Sequence, residues 1–446
     1  MKNILNFLIK VHKLKEVRRT GWVLRGAQDP ETIAEHMFRL SLLCWFLASR
    51  QGTLNLNKVI KTALSHDLCE VFAGDMTPYL GLLPKDDRRK NEFLKRWVRL
   101  SRQRKAKRDE KKFRMEKRGL LKLIKPLSPL LKKEILTFWL DQAKNLSKVG
   151  KFVKQTDKIE TMIQAIEYFG TDEDGLVVAW WEEIEELVDE PLLLGLLKII
   201  QKKFYGFSSE KKDNRTNQEL EAVLDFILRV GKLKRMPRLY WTLRGIKNPE
   251  TVAGHVFTLA ILSWVIGRQK KDLSQEKLLK MALCHELATA EIGDTTPYDR
   301  ILSKNKSEGR KIMEKMIRLS RKEKERIFFE DYKKEEKALE KITQKLNPFL
   351  RKEIIDLWQD YRKRKSPEAH FLSQLNTLAI LLQGLLYEKK YRHFSARPLW
   401  EWAFEVCDDP LLIDFMEELK RKFSLRNFFL NFFRQKIRRQ KQTEVN

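Results

Sequence analysis

The sequence predicts an all-α protein built from two copies of one helical bundle, and three observations lead to this prediction. Apolar residues recur with the period of an amphipathic helix, while strand-like alternation and hairpin signals are absent from the sequence. Only 18 glycines and 13 prolines occur among 446 residues, so long helices are expected. The two halves of the chain also align with each other without a gap over nearly their whole length.

The internal repeat is clearest near the start of each half. RTGWVLRGAQDPETIAEHMF, from Arg19, matches RLYWTLRGIKNPETVAGHVF, from Arg238, and one shift of 219 positions relates His36 to His255. The same shift holds far downstream, between Trp139 and Trp358. We interpret the chain as a tandem duplication with a first domain at 1–207, a polar linker at 208–220, a second domain at 221–424 and a basic tail at 425–446.

The order of helices is predicted from start signals and apolar runs. Asp29-Pro30-Glu31-Thr32 indicates an N-cap followed by proline at the first helical position, and Asn248-Pro249-Glu250-Thr251 repeats it. The next run, AEHMFRLSLLCWFLAS, is apolar on nearly all sides and predicts a buried central helix. KVIKTALSHDLCEVFAG is predicted to be one helix that ends near Gly74. A basic stretch at 85–118 and two further helices complete the copy.

The net charge and the cysteine content of the chain indicate its binding partners and its cellular compartment. The net charge of +29 favours polyanions such as nucleic acid, an anionic membrane surface or phosphorylated small molecules, although solvated lysine-rich helix faces would give the same value. The four cysteines are scattered without a CxxC pair, which indicates reduced thiols in a cytoplasmic protein and excludes a zinc ribbon or a disulfide framework. No apolar run approaches the ~18 residues of a transmembrane segment.

The two ends of the chain carry apolar residues among basic ones. The start, MKNILNFLIKVHKLKE, resembles a signal peptide only faintly and recurs inside the chain, so secretion is not expected. The tail at 425–446 mixes phenylalanine with arginine and lysine. It is predicted to pack on its own domain or to form a basic amphipathic helix on a membrane or nucleic acid.

Histidines and carboxylates at repeated positions indicate a metal site. In the first copy His66 and Asp67 are adjacent, and Glu70 lies one helical turn beyond them. A buried helix with these three side chains is costly unless a divalent cation compensates the charge, and imidazole with carboxylate suits Mn, Fe, Co, Ni or Zn. His36 and Asp157, on two other apolar helices, are the further candidates. A hydrogen-bonded core pair is the alternative for an isolated His-Asp dipeptide.

The order of these residues, H…HD…D, resembles the HD-domain metal-dependent phosphohydrolases. RTGWVLRGAQDPETIAEHMFRL, ALSHDLCEVFAGDMTP and KFVKQTDKIETMIQAIEY resemble its 5′-deoxynucleotidase branch, the group of HD-domain-containing protein 2. The resemblance covers most of the first copy. The main departure is the long basic segment LSRQRKAKRDEKKFRMEKRG, from Leu100.

The resemblance implies an enzyme that releases phosphate from deoxynucleoside 5′-monophosphates in its first copy. It also implies one divalent metal ion (Mn, Co, Fe, Mg or Zn). Four residues would be its ligands: His36, His66, Asp67 and Asp157.

The same resemblance implies roles for four residues around the metal. Glu70 would orient a water molecule and act as general base. Asp75 would contact the sugar hydroxyl or protonate the leaving oxygen. Arg19 would bind phosphate, and Trp22 would stack near the nucleoside and disfavour a 2′-hydroxyl. A surface arginine and a core tryptophan are the alternatives for these last two residues.

The second copy departs from this pattern at three positions. Glu286 replaces Asp67, Asn376 replaces Asp157 and Thr289 replaces Glu70, whereas three residues are kept: His255, His285 and Asp294. An amide binds metal weakly, and a threonine hydroxyl cannot serve as a base near neutral pH. Glu291 lies two residues past the lost base and is expected to point elsewhere. We predict a pseudoenzyme copy that completes a pseudo-dimer within one chain, with further oligomerisation left open.

Two other functions are compatible with the sequence. The same metal site could act on another phosphoester, such as a nucleoside triphosphate, guanosine tetraphosphate or an oligonucleotide. Alternatively, the chain could be a basic scaffold that binds nucleic acid through residues 85–118, where Trp97 and Phe113 lie among arginines and lysines. The corresponding segment of the second copy carries far more glutamate, which counts against a shared nucleic-acid surface.

Overall fold

A computed structural model of the chain describes residues 1–77, 79, 81–95, 100–171, 177–206, 215–296 and 319–423. Within these residues the regular structure is helical, and extended pairing is limited to two isolated bridges, between Arg18 and Thr32 and between Pro237 and Thr251. This confirms the all-α prediction. The predicted tail at 425–446 lies outside the described residues, and the predicted linker is described only from residue 215.

Each half contributes a similar series of helices. The first half contains α1 (Lys2–Val11), α2 (Thr20–Leu24), α3 (Ile33–Gln51), α4 (Leu56–Ser65), α5 (Glu70–Ala73), α6 (Asp87–Leu94), α7 (Arg102–Ile124), α8 (Pro129–Lys144), α9 (Lys148–Phe169), α10 (Val178–Leu187) and α11 (Pro191–Tyr205). The second contains α12 (Arg215–Gly231), α13 (Leu239–Leu243), α14 (Val252–Val265), α15 (Gln275–Cys284), α16 (Thr289–Ile292), α17 (Arg321–Thr343), α18 (Pro348–Lys363), α19 (Pro367–Lys390), α20 (Arg397–Val406) and α21 (Pro410–Lys422). Short 3₁₀ turns, His12–Lys15 and Lys232–Lys234, follow α1 and α12.

The two halves share one core. Helices α3 and α14, buried along nearly their whole length, pack against each other at the centre. The N-terminal helix of each half contacts the opposite half: α1 packs on α21, and α12 packs on α11 and α3. One continuous cluster of buried apolar side chains therefore includes residues of both copies.

The central helices begin three residues later than predicted. Thr32, not Asp29, is the N-cap of α3: its hydroxyl accepts from the Glu35 amide (3.4 Å), and the Glu35 carboxylate accepts from the Thr32 amide (2.6 Å). These reciprocal bonds satisfy donors of the first turn, and Asp29 instead adopts a left-handed conformation with φ 47°. Thr251 is the N-cap of α14: its hydroxyl accepts from the Gly254 amide (3.1 Å), and the reciprocal bond is missing because Gly254 stands at the position of Glu35. Glu31 consequently lies outside the helix.

The predicted single helix around His66 is two helices. α4 ends at Ser65 and α5 begins at Glu70, and the turn between them closes with bonds from Leu68 N to Ser65 O (3.2 Å) and from Glu70 N to Asp67 O (3.0 Å). His66 and Asp67 therefore lie in a tight turn rather than on a continuous helical face with Glu70. The end near Gly74 is as predicted, because this glycine has φ 73°.

One helix of the described residues is long and apolar enough to cross a membrane by length and composition. It is α19, whose mean hydropathy reaches 1.2 over an 18-residue window. Since 78% of that window is buried inside the protein, the composition of α19 is that of a core helix.

Candidate active site

The four predicted metal ligands of the first copy meet between three segments. His36 comes from α3, His66 and Asp67 come from the turn after α4, and Asp157 comes from α9. The Nε2 atom of His36 lies 3.0 Å from Asp157 Oδ1. The Nε2 atom of His66 lies 3.0 Å from Asp67 Oδ2 and 3.9 Å from Asp157 Oδ1. The prediction that these residues are neighbours therefore agrees with the geometry.

The atoms at the centre of this cluster are suited to a cation. His66 Nε2 is buried without a hydrogen-bond partner, and His36 Nε2 and Asp157 Oδ1 face each other at 3.0 Å with no further hydrogen-bond partner. Such under-satisfied buried atoms cost free energy unless a ligand binds them. His36, His66 and Asp67 each offer one donor atom within 4.8 Å of the others. Two imidazoles with carboxylates form a donor set that fits a divalent transition metal.

Hydrogen bonds on the far side of each imidazole fix its orientation. His66 Nδ1 donates to the carbonyl oxygen of Ala63 (2.8 Å), and His36 Nδ1 donates to Glu160 Oε2 (2.5 Å). Each ring therefore keeps Nε2 towards the cluster. Burial and Arg19 act to lower the pKa of His36, but the carboxylates of Glu160 and Asp157 outweigh them and raise it to about 9. Binding of a metal at Nε2 would therefore release a proton.

Glu70 has the environment expected of a general base. Its side chain is buried, and its Oε2 atom has no hydrogen-bond partner. Burial and the nearby carboxylates of Asp67 and Asp75 raise the pKa of Glu70 well above its ordinary value, so its carboxylate is a stronger base than that of an exposed glutamate. Asp75 lines the same pocket, and its carboxylate accepts from the Thr20 amide (2.5 Å).

A cavity of about 560 Å³ opens over the cluster, and both predicted substrate residues line it. Arg19 Nη1 is buried without a hydrogen-bond partner, 3.9 Å from Asp67 Oδ2, so this atom is available to an anion. Trp22 is only 1% exposed, and its indole N–H donates to Glu31 Oε1 (2.9 Å). Trp22 is thus mainly a core side chain that forms part of the pocket wall.

Several pocket residues were not predicted from the sequence. Basic side chains from α7 and α9 line the pocket: Lys105, Arg108, Lys112, Lys154 and Lys158. Lys158 Nζ lies 3.7 Å from Asp157 Oδ2 and 3.1 Å from Glu183 Oε1. Trp180, from α10, faces the Arg25 guanidinium at 4.1 Å from its ring centroid. Lys154 and Lys158 have i, i+4 spacing, which places them on the same helix face near Asp157. This spacing could have predicted that both lysines line the site.

The corresponding side chains of the second copy bond to one another. Asn376 donates to the Tyr361 hydroxyl (2.9 Å), so its oxygen faces His255 Nε2 at 2.8 Å and accepts from it. That nitrogen consequently carries the proton and cannot ligate a metal. Burial and the nearby Arg238 lower the pKa of His255 to about 3.

The acidic residues of the second copy are also engaged. Glu286 binds Arg238 Nη1 through Oε1 (2.7 Å) and accepts from Thr289 through Oε2 (2.9 Å). Asp294 lies 3.3 Å from the same Arg238 atom, and Glu291 pairs with Lys341 instead of facing the cluster. His255, His285 and Glu286 still have donor atoms within 4.8 Å of one another, and His285 Nε2 has no partner.

Comparisons with known proteins agree with the two-copy architecture. The HD domain family model matches residues 11–181 and 230–398. Human 5′-deoxynucleotidase HDDC2 is 32% identical over 204 residues, 46% of this chain and 87% of the relative, and fission yeast 5′-deoxynucleotidase hdd1 is 26% identical over 202 residues, 44% and 88% of the two chains. A solved structure, a conserved hypothetical protein from Pyrococcus furiosus, has a TM-score of 0.34 at 24% identity and covers 44% of this chain and 99% of its own.

These matches confirm the predicted resemblance and the prediction of an enzyme. Because the family model covers most of both halves, the family assignment applies to both copies. The chain therefore belongs to the HD domain family and carries the family's domain twice, with 5′-deoxynucleotidases among its relatives.

Proposed function

We propose that the first copy releases phosphate from deoxynucleoside 5′-monophosphates, with one divalent metal ion at the His-Asp cluster. The supporting observation is that partnerless buried atoms of the cluster, of Glu70 and of Arg19 converge on one pocket. The names of the relatives, 5′-deoxynucleotidases from human and fission yeast, support the substrate class.

In the proposed hydrolysis the metal ion, Arg19, Glu70 and Asp75 each have a separate role. When bound, the metal ion supplies Lewis-acid polarisation of a phosphoryl oxygen. Arg19 binds the phosphate, and Glu70 accepts a proton from the water that attacks phosphorus. Asp75 contacts the sugar or donates a proton to the leaving 5′-oxygen as the P–O bond breaks. The products are the deoxynucleoside and inorganic phosphate, and the Trp22 wall disfavours a 2′-hydroxyl.

A phosphate-release screen tests this proposal. Deoxy- and ribonucleoside 5′-mono- and triphosphates are incubated with the metal-free chain and one of Mn²⁺, Co²⁺, Fe²⁺, Mg²⁺ or Zn²⁺. We expect the fastest release from deoxynucleoside monophosphates and none in the presence of a chelator. Release from triphosphates alone would favour the other phosphoester function, and equal rates on ribonucleotides would contradict the role of Trp22.

We also propose that the second copy is a pseudoenzyme domain, because Asn376 engages His255 and Arg238 engages Glu286. The chain is expected to retain one equivalent of metal after dialysis, measured by plasma emission spectrometry. His66→Ala should remove this metal and His285→Ala should not. Two equivalents, both lost only when both histidines are replaced, would contradict the proposal.

The observed packing of the basic segment favours the small-molecule substrate over a nucleic-acid scaffold. Phe113 stacks on Trp139 with ring centroids 5.5 Å apart, so this aromatic ring is not presented for base stacking. Trp97 lies outside the described residues. Lys112, in the same helix, lines the phosphate pocket. We further propose a cytoplasmic location, which the four free cysteine thiols support.

A further inference from the structure

We propose that Lys234, a residue of the second copy, is a positioning residue for the metal site of the first copy. It acts through Glu160, the carboxylate that holds the far side of His36. The inference rests on the metal site of the proposed function. It assigns to the second copy a contribution that does not require chemistry of its own.

Lys234 reaches into the first copy from the 3₁₀ turn after α12. Its ammonium group bonds to Glu160 Oε1 (2.9 Å), to Gln164 Oε1 (2.6 Å) and to Glu31 Oε2. The lysine side chain is 2% exposed, and both carboxylates are as deeply buried. A buried ammonium group with three acceptors from another domain is a fixed structural element, because removing it would leave two carboxylates without this cation.

Glu160 connects this lysine to the metal ligand. One carboxylate oxygen, Oε1, accepts from Lys234 and from Arg39 Nε (2.6 Å), while the other, Oε2, accepts from His36 Nδ1 (2.5 Å). The two cations fix the carboxylate, and the carboxylate fixes the imidazole with Nε2 towards the site. Partners of this kind orient metal-ligating histidines and raise their ligand strength.

Lys234 is also connected to the wall of the pocket. Glu31, its second carboxylate partner, accepts from the Trp22 indole through Oε1 (2.9 Å). One side chain of the second copy thus holds both a metal ligand and the tryptophan that we place next to the sugar. The three buried acidic and histidine side chains here, Glu31, His36 and Glu160, are themselves a group that could hold a cation, and the ammonium of Lys234 already occupies this position between the carboxylates.

The equivalent lysine of the first copy, Lys15, is not connected in this way to the histidine of the second site. Lys15, the counterpart of Lys234, bonds to Glu250 (2.6 Å) and Gln383 across the same junction, and Glu250 holds Trp241 (2.9 Å). The position of Glu160, however, is Ala379 in the second copy, and that of Arg39 is Thr258. In the described part of the chain, the acidic neighbour of His255 Nδ1 is Glu250, whose Oε1 atom lies 4.0 Å away, too far for a hydrogen bond that would carry the effect of Lys15.

This asymmetry provides a matched pair of variants for the test. Lys234→Met and Lys15→Met each remove one buried ammonium group from the same junction, but only the first should affect the metal site. Both are made in a His285→Ala background, so that only the first site titrates. Isothermal titration of the full chain with Mn²⁺ measures the affinity, and thermal unfolding reports the general cost of each change.

We expect Lys234→Met to bind Mn²⁺ about tenfold more weakly, at the lower end of the range for outer partners of a ligating histidine. Lys15→Met should bind as the parent does, although both variants lower the melting temperature. Lys234→Arg, which keeps the charge, should restore most of the affinity. If Lys234→Met does not fold, Lys234→Gln replaces it, since it retains a donor for Gln164 and removes the charge.

Two results would overturn the inference. Unchanged affinity in the folded Lys234 variant would show that Arg39 alone holds Glu160, and equal weakening in both lysine variants would indicate only a loosened junction. The inference is separable from the substrate proposal: if Mn²⁺ binding depends on Lys234 while no deoxynucleotide is hydrolysed, the positioning role remains and the substrate assignment is wrong.

Discussion

Replacing Asp67 with alanine is expected to reduce phosphate release to the background rate, whereas Glu286→Ala in the second copy leaves the wild-type rate. Asp67 offers a carboxylate oxygen 3.0 Å from His66 Nε2, a buried atom without a hydrogen-bond partner. Glu286 is instead neutralised by Arg238 at 2.7 Å. Steady-state phosphate release from the best deoxynucleotide of the screen measures both variants.

The comparison is informative because the two substitutions remove equivalent residues. Circular dichroism and thermal unfolding establish that both variants remain folded, and the metal content of each is determined on the same samples. Loss of activity in Glu286→Ala with Asp67→Ala active would place the chemistry in the second copy. Activity that persists in both would indicate a different site.

Glu70→Gln is expected to lower kcat by about 10²–10⁴-fold, the contribution typical of a positioned general base. Glutamine has nearly the same shape as glutamate but cannot accept a proton, so the substitution isolates this function from packing. The buried Oε2 atom and the raised pKa of Glu70 are the observations behind the expectation. Single-turnover measurements at saturating substrate separate the chemical step from product release.

Metal content is the control for this second prediction. Glu70 is not among the ligand candidates, so Glu70→Gln should retain the same metal content as the parent while losing activity. A variant that loses its metal would show that Glu70 is a ligand rather than a base. A variant with a nearly normal kcat would remove Glu70 from the mechanism.

The sequence was sufficient for the helical architecture and for the residues that meet at the cluster. Helical periodicity is a local property of the sequence, and the 219-residue shift is a repeat of the sequence itself. Neither depends on how the helices pack, so both could be identified without the structure. The first residue of each central helix could not be predicted as accurately. Thr32 competes with Asp29 for the N-cap position, and the reciprocal bonds with Glu35 that decide between them depend on side-chain geometry.

The outer partners of the site were missed for a related reason. Glu160 lies one turn after Asp157 on α9, which places the two on one helix face, but only the packing of α3 brings His36 to it. Lys234 is separated from Glu160 by 74 residues and lies in the other copy. A signal was nevertheless present: the shift between copies replaces Glu160 and Arg39 with Ala379 and Thr258, which removes charge from two buried helices.

Joining both halves in one polypeptide changes how their junction behaves on dilution. Between separate subunits, a contact such as that of Lys234 with Glu160 would obey mass action and be lost at low protein concentration. Here the effective concentration of the partner is set by the chain itself. Covalent linkage also lets one position differ between the halves, as glutamate at 160 and alanine at 379, which identical subunits cannot do. The duplication thus permits specialisation of the two halves without dissociation.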